Sequence, residues 1–335
     1  MKFYPSETTF AGAVKPARKR REDYFLNLEK KATRRKYHLA WTLVPLFGLL
    51  LSSCRDRDIS QSAEELIPAG WESYRLGEFD RAVEQFQKAA QVASKEDQNL
   101  SMQGIFGEAA CWQYRRDGKD TPRAEALYNE IIQVAPRHPL APWSKLAKVR
   151  IQHFGRIEPK PDYESLAREY AAIYERYPDH PAGQEAFVNR FHILLFDPSP
   201  DLVRHSLPEL KKFLARHPES PFLSPVCAQI SLCYKVLKER DESLSWLIRA
   251  FEKREKDQGN PNADNSGSYW SIGRAAEYEA GNFTVARSYY QRLIDEYPKD
   301  QRIYEVRRAL RRMGEVEDIV RRGGDLSPDG GEAGS

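Results

Sequence analysis

From about residue 61 to residue 300, apolar residues recur three and four positions apart, the period of helices that bury one face. The rhythm breaks at prolines and glycines, which divides the stretch into short helices joined by tight turns. One phrase returns. Near the start it reads Tyr74-Arg75-Leu76-Gly77-Glu78-Phe79-Asp80-Arg81-Ala82-Val83-Glu84-Gln85-Phe86-Gln87-Lys88-Ala89. Near the end it reads Tyr278-Glu279-Ala280-Gly281-Asn282-Phe283-Thr284-Val285-Ala286-Arg287-Ser288-Tyr289-Tyr290-Gln291-Arg292-Leu293, closing with Tyr297-Pro298. The glycine permits a tight turn between two helices. The alanine lets the helices approach, the aromatic one turn later fills the groove between neighbours, and the proline ends the second helix.

Degenerate copies keep the same spacing. Ala124, Tyr128, Ile131 and Pro136 fit one; Leu166, Tyr170, Ile173 and Pro178 the next; Leu210, Phe213 and Pro218 another. Ser243, Leu247 and Ala250 fit a copy without the proline. Prolines 136, 178, 218 and 298 are 42, 40 and 80 residues apart, and the last gap holds the proline-less copy. This grammar resembles the tetratricopeptide repeat (TPR), whose usual length is about 34 residues; a period near 40 implies longer helices or links. The expected fold is all-α: a TPR-like solenoid of about six helix pairs over 61–320, ending in a charged capping helix near 301–320. The polar cluster at 256–267 predicts an exposed loop before the last pair, and the Gly- and acid-rich residues 321–335 predict a disordered tail.

The N-terminal part follows a different pattern. Lys30-Lys31-Ala32-Thr33-Arg34-Arg35-Lys36 precedes an apolar stretch from Leu39 to Leu51. About 13 residues are too few for a bilayer span, which takes about 20, so basic segment and apolar core together predict a secretory leader over 1–53. The leader closes on Leu51-Ser52-Ser53-Cys54, which resembles the lipobox of bacterial lipoproteins. That resemblance implies lipidation of Cys54 after cleavage, with 54–60 as a lipidated linker and the acyl chains as membrane anchor. An uncleaved signal anchor ending in an incidental cysteine is the alternative the same residues allow. Arg55, where an aspartate would imply retention in the inner membrane, points towards the outer membrane facing the periplasm.

Charge is uneven along the 335 residues. The net +3 conceals a leader with eleven Lys and Arg against four acids; beyond Ser53 the chain holds 41 basic and 45 acidic residues. A near-neutral body gives no reason to expect nucleic-acid binding. There is no glycine-rich phosphate loop, nucleophile elbow or His-Glu-x-x-His segment. His138-Pro139, His180-Pro181 and His217-Pro218 read as turn residues at equivalent junctions, held a repeat apart and so unable to converge on a metal. Cys111, Cys227 and Cys233 read as small buried residues, since Cys227 and Cys233 face different directions on one predicted helix.

The reading is therefore non-catalytic, with no cofactor, metal or small-molecule substrate, and with proteins as partners. First helices of stacked pairs line a concave face, and on the TPR template Trp71, Tyr74, Arg75 and Tyr278 are the candidate partner-binding residues there. Packing between adjacent pairs is the other role open to them. A lipobox followed by TPR pairs ending in Tyr-Pro phrases (Arg176-Tyr177-Pro178-Asp179-His180-Pro181 and Glu296-Tyr297-Pro298) is similar to the BamD-like outer-membrane assembly lipoproteins. The resemblance implies a membrane-anchored scaffold in the bacterial envelope whose partners are other envelope proteins, a β-barrel assembly factor among them. A TPR adaptor or pilotin-like lipoprotein of another envelope machine (secretion, pilus or cell-wall coordination) is the alternative.

Overall fold

In five of the six pairs the second helix carries the clearer one-sided apolar pattern, and the computed structural model shows what that face buries. It describes residues 61–93, 97–115, 118–155, 161–258 and 263–323. Among these are thirteen helices and no strand. They are α1 (Ala63–Leu76), α2 (Phe79–Ala93), α3 (Gln98–Tyr114), α4 (Thr121–Val134), α5 (Leu140–Gly155), α6 (Tyr163–Arg176), α7 (Pro181–Leu194), α8 (Pro200–Arg216), α9 (Leu223–Val236), α10 (Arg240–Gln258), α11 (Ser266–Arg274), α12 (Phe283–Glu296) and α13 (Ile303–Arg321). Packing between successive helices, through the Phe187, Phe191, Leu210 and Phe213 side chains in the case of α7 and α8, gives six pairs and the capping helix α13. No described helix is long and apolar enough to cross a membrane.

The repeat positions read from the sequence are the core. Ala82, Phe86 and Ala89 on α2, Ala124, Tyr128 and Ile131 on α4, and Ala286, Tyr290 and Leu293 on α12 are all buried. Spacing of i, i+4 and i+7 places each trio on one helical face. The step in side-chain size from alanine to ring then sets how closely the neighbouring helices approach. The fourth pair inverts the order: Ser206 is the small residue, Leu210 follows, and the ring moves to Phe213, which stacks on Phe187 of α7 at 4.5 Å.

Glycine opposes the ring where helices come closest. A Cβ on Gly70 of α1 would lie 2.7 Å from Phe86 Cε1, and one on Gly107 of α3 would lie 2.6 Å from Phe86 Cζ. Phe86 is thus seated between two glycines from consecutive first helices. Gly273 of α11 plays the same part towards Tyr290. Sixteen residues separate Gly70 from Phe86, but seventeen separate Gly273 from Tyr290. The extra residue is absorbed in a π-helical turn at Ala275–Ala280, which continues α11 and ends at Gly281. A wider turn accepts one more residue without moving either glycine or ring out of contact.

Within pairs, Gly77 closes α1 in the left-handed conformation (φ +80°), with its N–H on Tyr74 O and that of Glu78 on Ser73 O. The fifth pair makes the same two bonds, Lys238 N–H to Lys235 O and Glu239 N–H to Tyr234 O, but with Lys238 at φ +63°.

Between pairs, one device recurs six times. The side chain of a junction residue accepts the N–H two residues on, satisfying an otherwise orphaned donor at the start of the next first helix. Asp97 accepts from Asn99 (2.7 Å), His138 from Leu140 (3.1 Å) and His180 from Ala182 (3.1 Å). Ser220 accepts from Phe222 (3.1 Å), Asp264 from Ser266 (2.9 Å) and Asp300 from Arg302 (2.8 Å). The structure therefore corrects the reading of the three His-Pro pairs as equivalent. His138 and His180 are junction caps, whereas His217 closes α8, three residues before the cap Ser220. Its ring is buried against Phe213, with Tyr174 Oη 3.2 Å from Nε2. The polar stretch before α11 also differs from a simple exposed loop: α10 runs on to Gln258, and Asn265 and Ser266 are buried at the cap.

Candidate partner-binding surface

Trp71 and Tyr74 lie one turn apart on α1 and turn their rings towards α2. Trp71 meets Phe86 edge-on at 5.0 Å and Tyr74 at 5.5 Å, and Tyr74 meets Phe79 at 5.4 Å. Both are half-buried and join the two helices of the first pair. Arg75 extends outward beside Glu72, whose carboxylate it binds at 2.6 Å in an exposed i,i+3 pair. That hydrogen bond holds Glu72 below its ordinary pKa and Arg75 above its own. An exposed pair of this kind contributes little to stability and leaves both groups accessible.

Tyr278 stands in the sixth pair, so the four sequence candidates do not form one site: three belong to the first pair and one to the last. Tyr278 is 57% exposed. The π turn directs its neighbour Glu277 inward, where it accepts from Tyr290 Oη (2.9 Å) and from Arg312 Nε of α13 (3.0 Å). Arg312 also donates to Tyr278 Oη. The Arg274 and Arg312 guanidiniums lie 5.4 and 5.2 Å from the Tyr278 ring centroid. The result is an exposed phenol flanked by two cations, a pattern suited to a partner with both apolar and acidic groups. Leu51, Ser52, Ser53 and Cys54 lie outside the described residues.

The middle of the array presents groups that the sequence pattern did not single out. Arg150 of α5 reaches Glu185 of α7 at 2.9 Å and lies 5.9 Å from the Tyr114 ring of α3. Burial pushes the Glu185 carboxyl above its ordinary pKa, opposed by Arg150 and by a hydrogen bond from Asn189. Glu108 of α3 accepts from Gln87 (2.7 Å), Trp112 Nε1 (3.1 Å) and Arg123 (2.8 Å). Gln113 accepts from the buried Tyr128 hydroxyl at 2.8 Å. These groups tie first helices to one another and to their partners. No local motif marks them, because α3 is enclosed by α1, α2, α4 and α5 and so has no polar face from which they would stand apart.

The described cysteines are not exposed thiolates. Cys111, Cys227 and Cys233 are free and buried. Desolvation pushes the Cys111 thiol up to about 12 and the Cys233 thiol to about 11, so neither ionises near neutral pH. No group of three or more His, Cys, Asp or Glu among the described residues could hold a metal ion. A shallow open groove of about 520 Å³ runs beside Tyr177, lined by Lys145, Ile173, Glu175 and Arg176, with Lys145 Nζ donating to Tyr177 Oη at 3.2 Å.

The tetratricopeptide repeat family profile matches residues 268–300, which span α11, the π turn and α12. The chain thus contains a tetratricopeptide repeat, and its architecture is of the class that serves as protein-interaction modules. No curated protein sequence matches the chain. Several solved structures match at low identity, two of them as follows. The Assembly Chaperone of RpL4 (Acl4) is 14% identical with a TM-score of 0.47, the match covering 77% of this chain and 99% of that one. A thermophilic TPR protein of Thermus thermophilus is 16% identical with a TM-score of 0.27, covering 74% and 98%.

Proposed function

We propose that the protein is a non-catalytic scaffold lipoprotein of the bacterial envelope, held to a membrane through acyl chains on Cys54 and binding other envelope proteins along its helical array. The observation that carries this reading is the sequence Leu51-Ser52-Ser53-Cys54 at the end of an apolar stretch, directly upstream of six helix pairs. A lipid anchor fixes one end of such an array at a membrane and leaves its surface free for protein contacts. The resemblance to the BamD-like lipoproteins makes outer-membrane protein assembly the first role to test, with the periplasmic face of the outer membrane as the location. Tyr278 with Arg274 and Arg312, and Arg75 at the other end, are the exposed groups a partner would meet.

One observation favours the alternative of a TPR adaptor or pilotin-like lipoprotein of a secretion, pilus or cell-wall machine. Six pairs and a cap exceed the five repeats of the family it resembles.

The deciding experiment is the intact mass of membrane-extracted protein, followed by crosslinking and identification of captured proteins. A mass matching residues 54–335 plus acyl chains, lost in Cys54→Ala, supports the lipoprotein; a mass retaining residues 1–53 overturns it. A captured membrane β-barrel favours the assembly role, and a secretion or cell-wall component the alternative.

A further inference from the structure

Two of the six junction caps are chemically unlike the rest. Asp97, Ser220, Asp264 and Asp300 accept the backbone N–H through oxygen, which keeps its lone pairs at every pH near neutrality. His138 and His180 accept it through Nδ1, an atom that can do so only while the ring is neutral. The His138 ring is fixed at its other nitrogen as well. Nε2 of His138 lies 2.9 Å from Asn99 Oδ1 on α3, so with Nδ1 engaged as acceptor it donates there. At His180 the backbone carbonyl of Pro139 acts to raise the ring's pKa, against the larger effect of burial.

Among the described residues, no charged side chain acts on either ring. Arg137, next to His138, is exposed. Beside His180, Asp179 binds Arg216 at 3.3 Å, Lys145 of α5 is engaged with Tyr177 Oη, and the face towards α5 is the Trp143 ring at 5.9 Å. A proton on Nδ1 would set an N–H against the N–H of Leu140 or Ala182, and no described carboxylate is paired with either ring to offset the charge.

We propose that these two junctions form an acid-sensitive hinge in the middle of the array. Neutral imidazoles lock the second, third and fourth helix pairs together, and protonation loosens both junctions while the oxygen-capped ones stay closed. Burial lowers the pKa of both rings below the ordinary histidine value of 6.5. For a base depressed in the folded state, the stabilisation is complete above the unfolded value and is lost as pH falls. The window therefore opens near pH 6.5 and extends downward, ending below the folded pKa. His217 sits outside this mechanism, since Asp179, 3.9 Å from its Nδ1, partly offsets a charge there.

The test is hydrogen exchange of the full chain at pH 7.5 and 5.5, corrected for intrinsic rates, in the wild type and in His138→Asn/His180→Asn. Asparagine supplies an acceptor of similar reach that does not titrate. In the wild type, amides in 138–143 and 180–185 should lose about fivefold to tenfold protection at pH 5.5, the equilibrium factor of one lost cap. Amides in 97–101 and 300–304 should not change, and the double variant should abolish the excess. Equal loosening at all six junctions, or the same excess in the double variant, overturns the hinge. Should the variant be loosened already at pH 7.5, histidine NMR of the wild type decides. Nε2–H tautomers titrating below pH 6.5 together with the Leu140 and Ala182 amides support the hinge; titration with no amide response refutes it.

Discussion

Gly107→Ala adds a single methyl group to α3, and its effect follows from what surrounds Phe86. The new Cβ would lie 2.6 Å from Phe86 Cζ and closer still to Cδ1 and Cε1. The ring is fully buried and cannot retreat, because Gly70 of α1 sits comparably close to it as well. Overpacking of this kind costs about 1–3 kcal/mol, and a ring without an escape route belongs at the upper end. Replacing glycine by alanine within a helix returns about 0.8–1 kcal/mol. The net expectation is a loss of about 2 kcal/mol, or about 4–8 °C in Tm for a domain of this size. Gly314 in α13 has nothing within 4 Å of its ideal Cβ. The same substitution there should gain about 1 kcal/mol from helix propensity alone. Calorimetry of both variants, with hydrogen exchange in α1–α3 to locate the loss, tests the opposition of sign. In a Phe86→Leu background, Gly107→Ala should lose most of its penalty, since the smaller side chain vacates the contested space. Equal shifts of the same sign in Gly107→Ala and Gly314→Ala would refute the role assigned to Phe86.

Three further outcomes are expected. Lys238→Gly should stabilise the fifth pair by about 0.5–1 kcal/mol in urea unfolding, because relief of a left-handed non-glycine residue exceeds the added unfolded-state entropy; no gain would mean that Lys238 is unstrained. Thiol alkylation of the native protein at pH 8 should leave Cys111, Cys227 and Cys233 unmodified until denaturant is added, since burial raises all three pKa values; rapid native labelling would contradict their packing. Asp300, whose pKa the Arg302 side chain holds down at about 2, should keep its junction closed as pH falls to about 4 and release it between 4 and 2, as expected for a depressed carboxylate. In Asp300→Asn, amide protection at 302–305 should no longer change across that interval, and an unchanged acid response would assign the transition to another group.

The helices, their pairing and the buried trios were legible in the chain because they depend on local periodicity. An i, i+4, i+7 face written as Ala124, Tyr128 and Ile131 has to be covered whatever surrounds it, and a glycine such as Gly77 marks a turn through its own backbone freedom. The candidate surface was legible only in part. Trp71 and Tyr74 could be placed on α1 from the repeat, but their edge-on contacts within the first pair are set by the crossing of α1 over α2. The isolation of Tyr278 in the sixth pair follows from the repeat; its pairing with Arg312 depends on a helix folded back from outside the repeat. Sequence spacing could not reveal the π turn, because one extra residue between Gly273 and Tyr290 matters only once ring and glycine must meet. Nor could it find Glu108, Gln113, Arg150 and Glu185, each of which has a partner on another helix. Lys238 in a glycine's place, and the different stations of His180 and His217, were decided by the same cause. Periodicity fixes which face of a helix is buried, whereas the identity of what it meets is a property of the packed array.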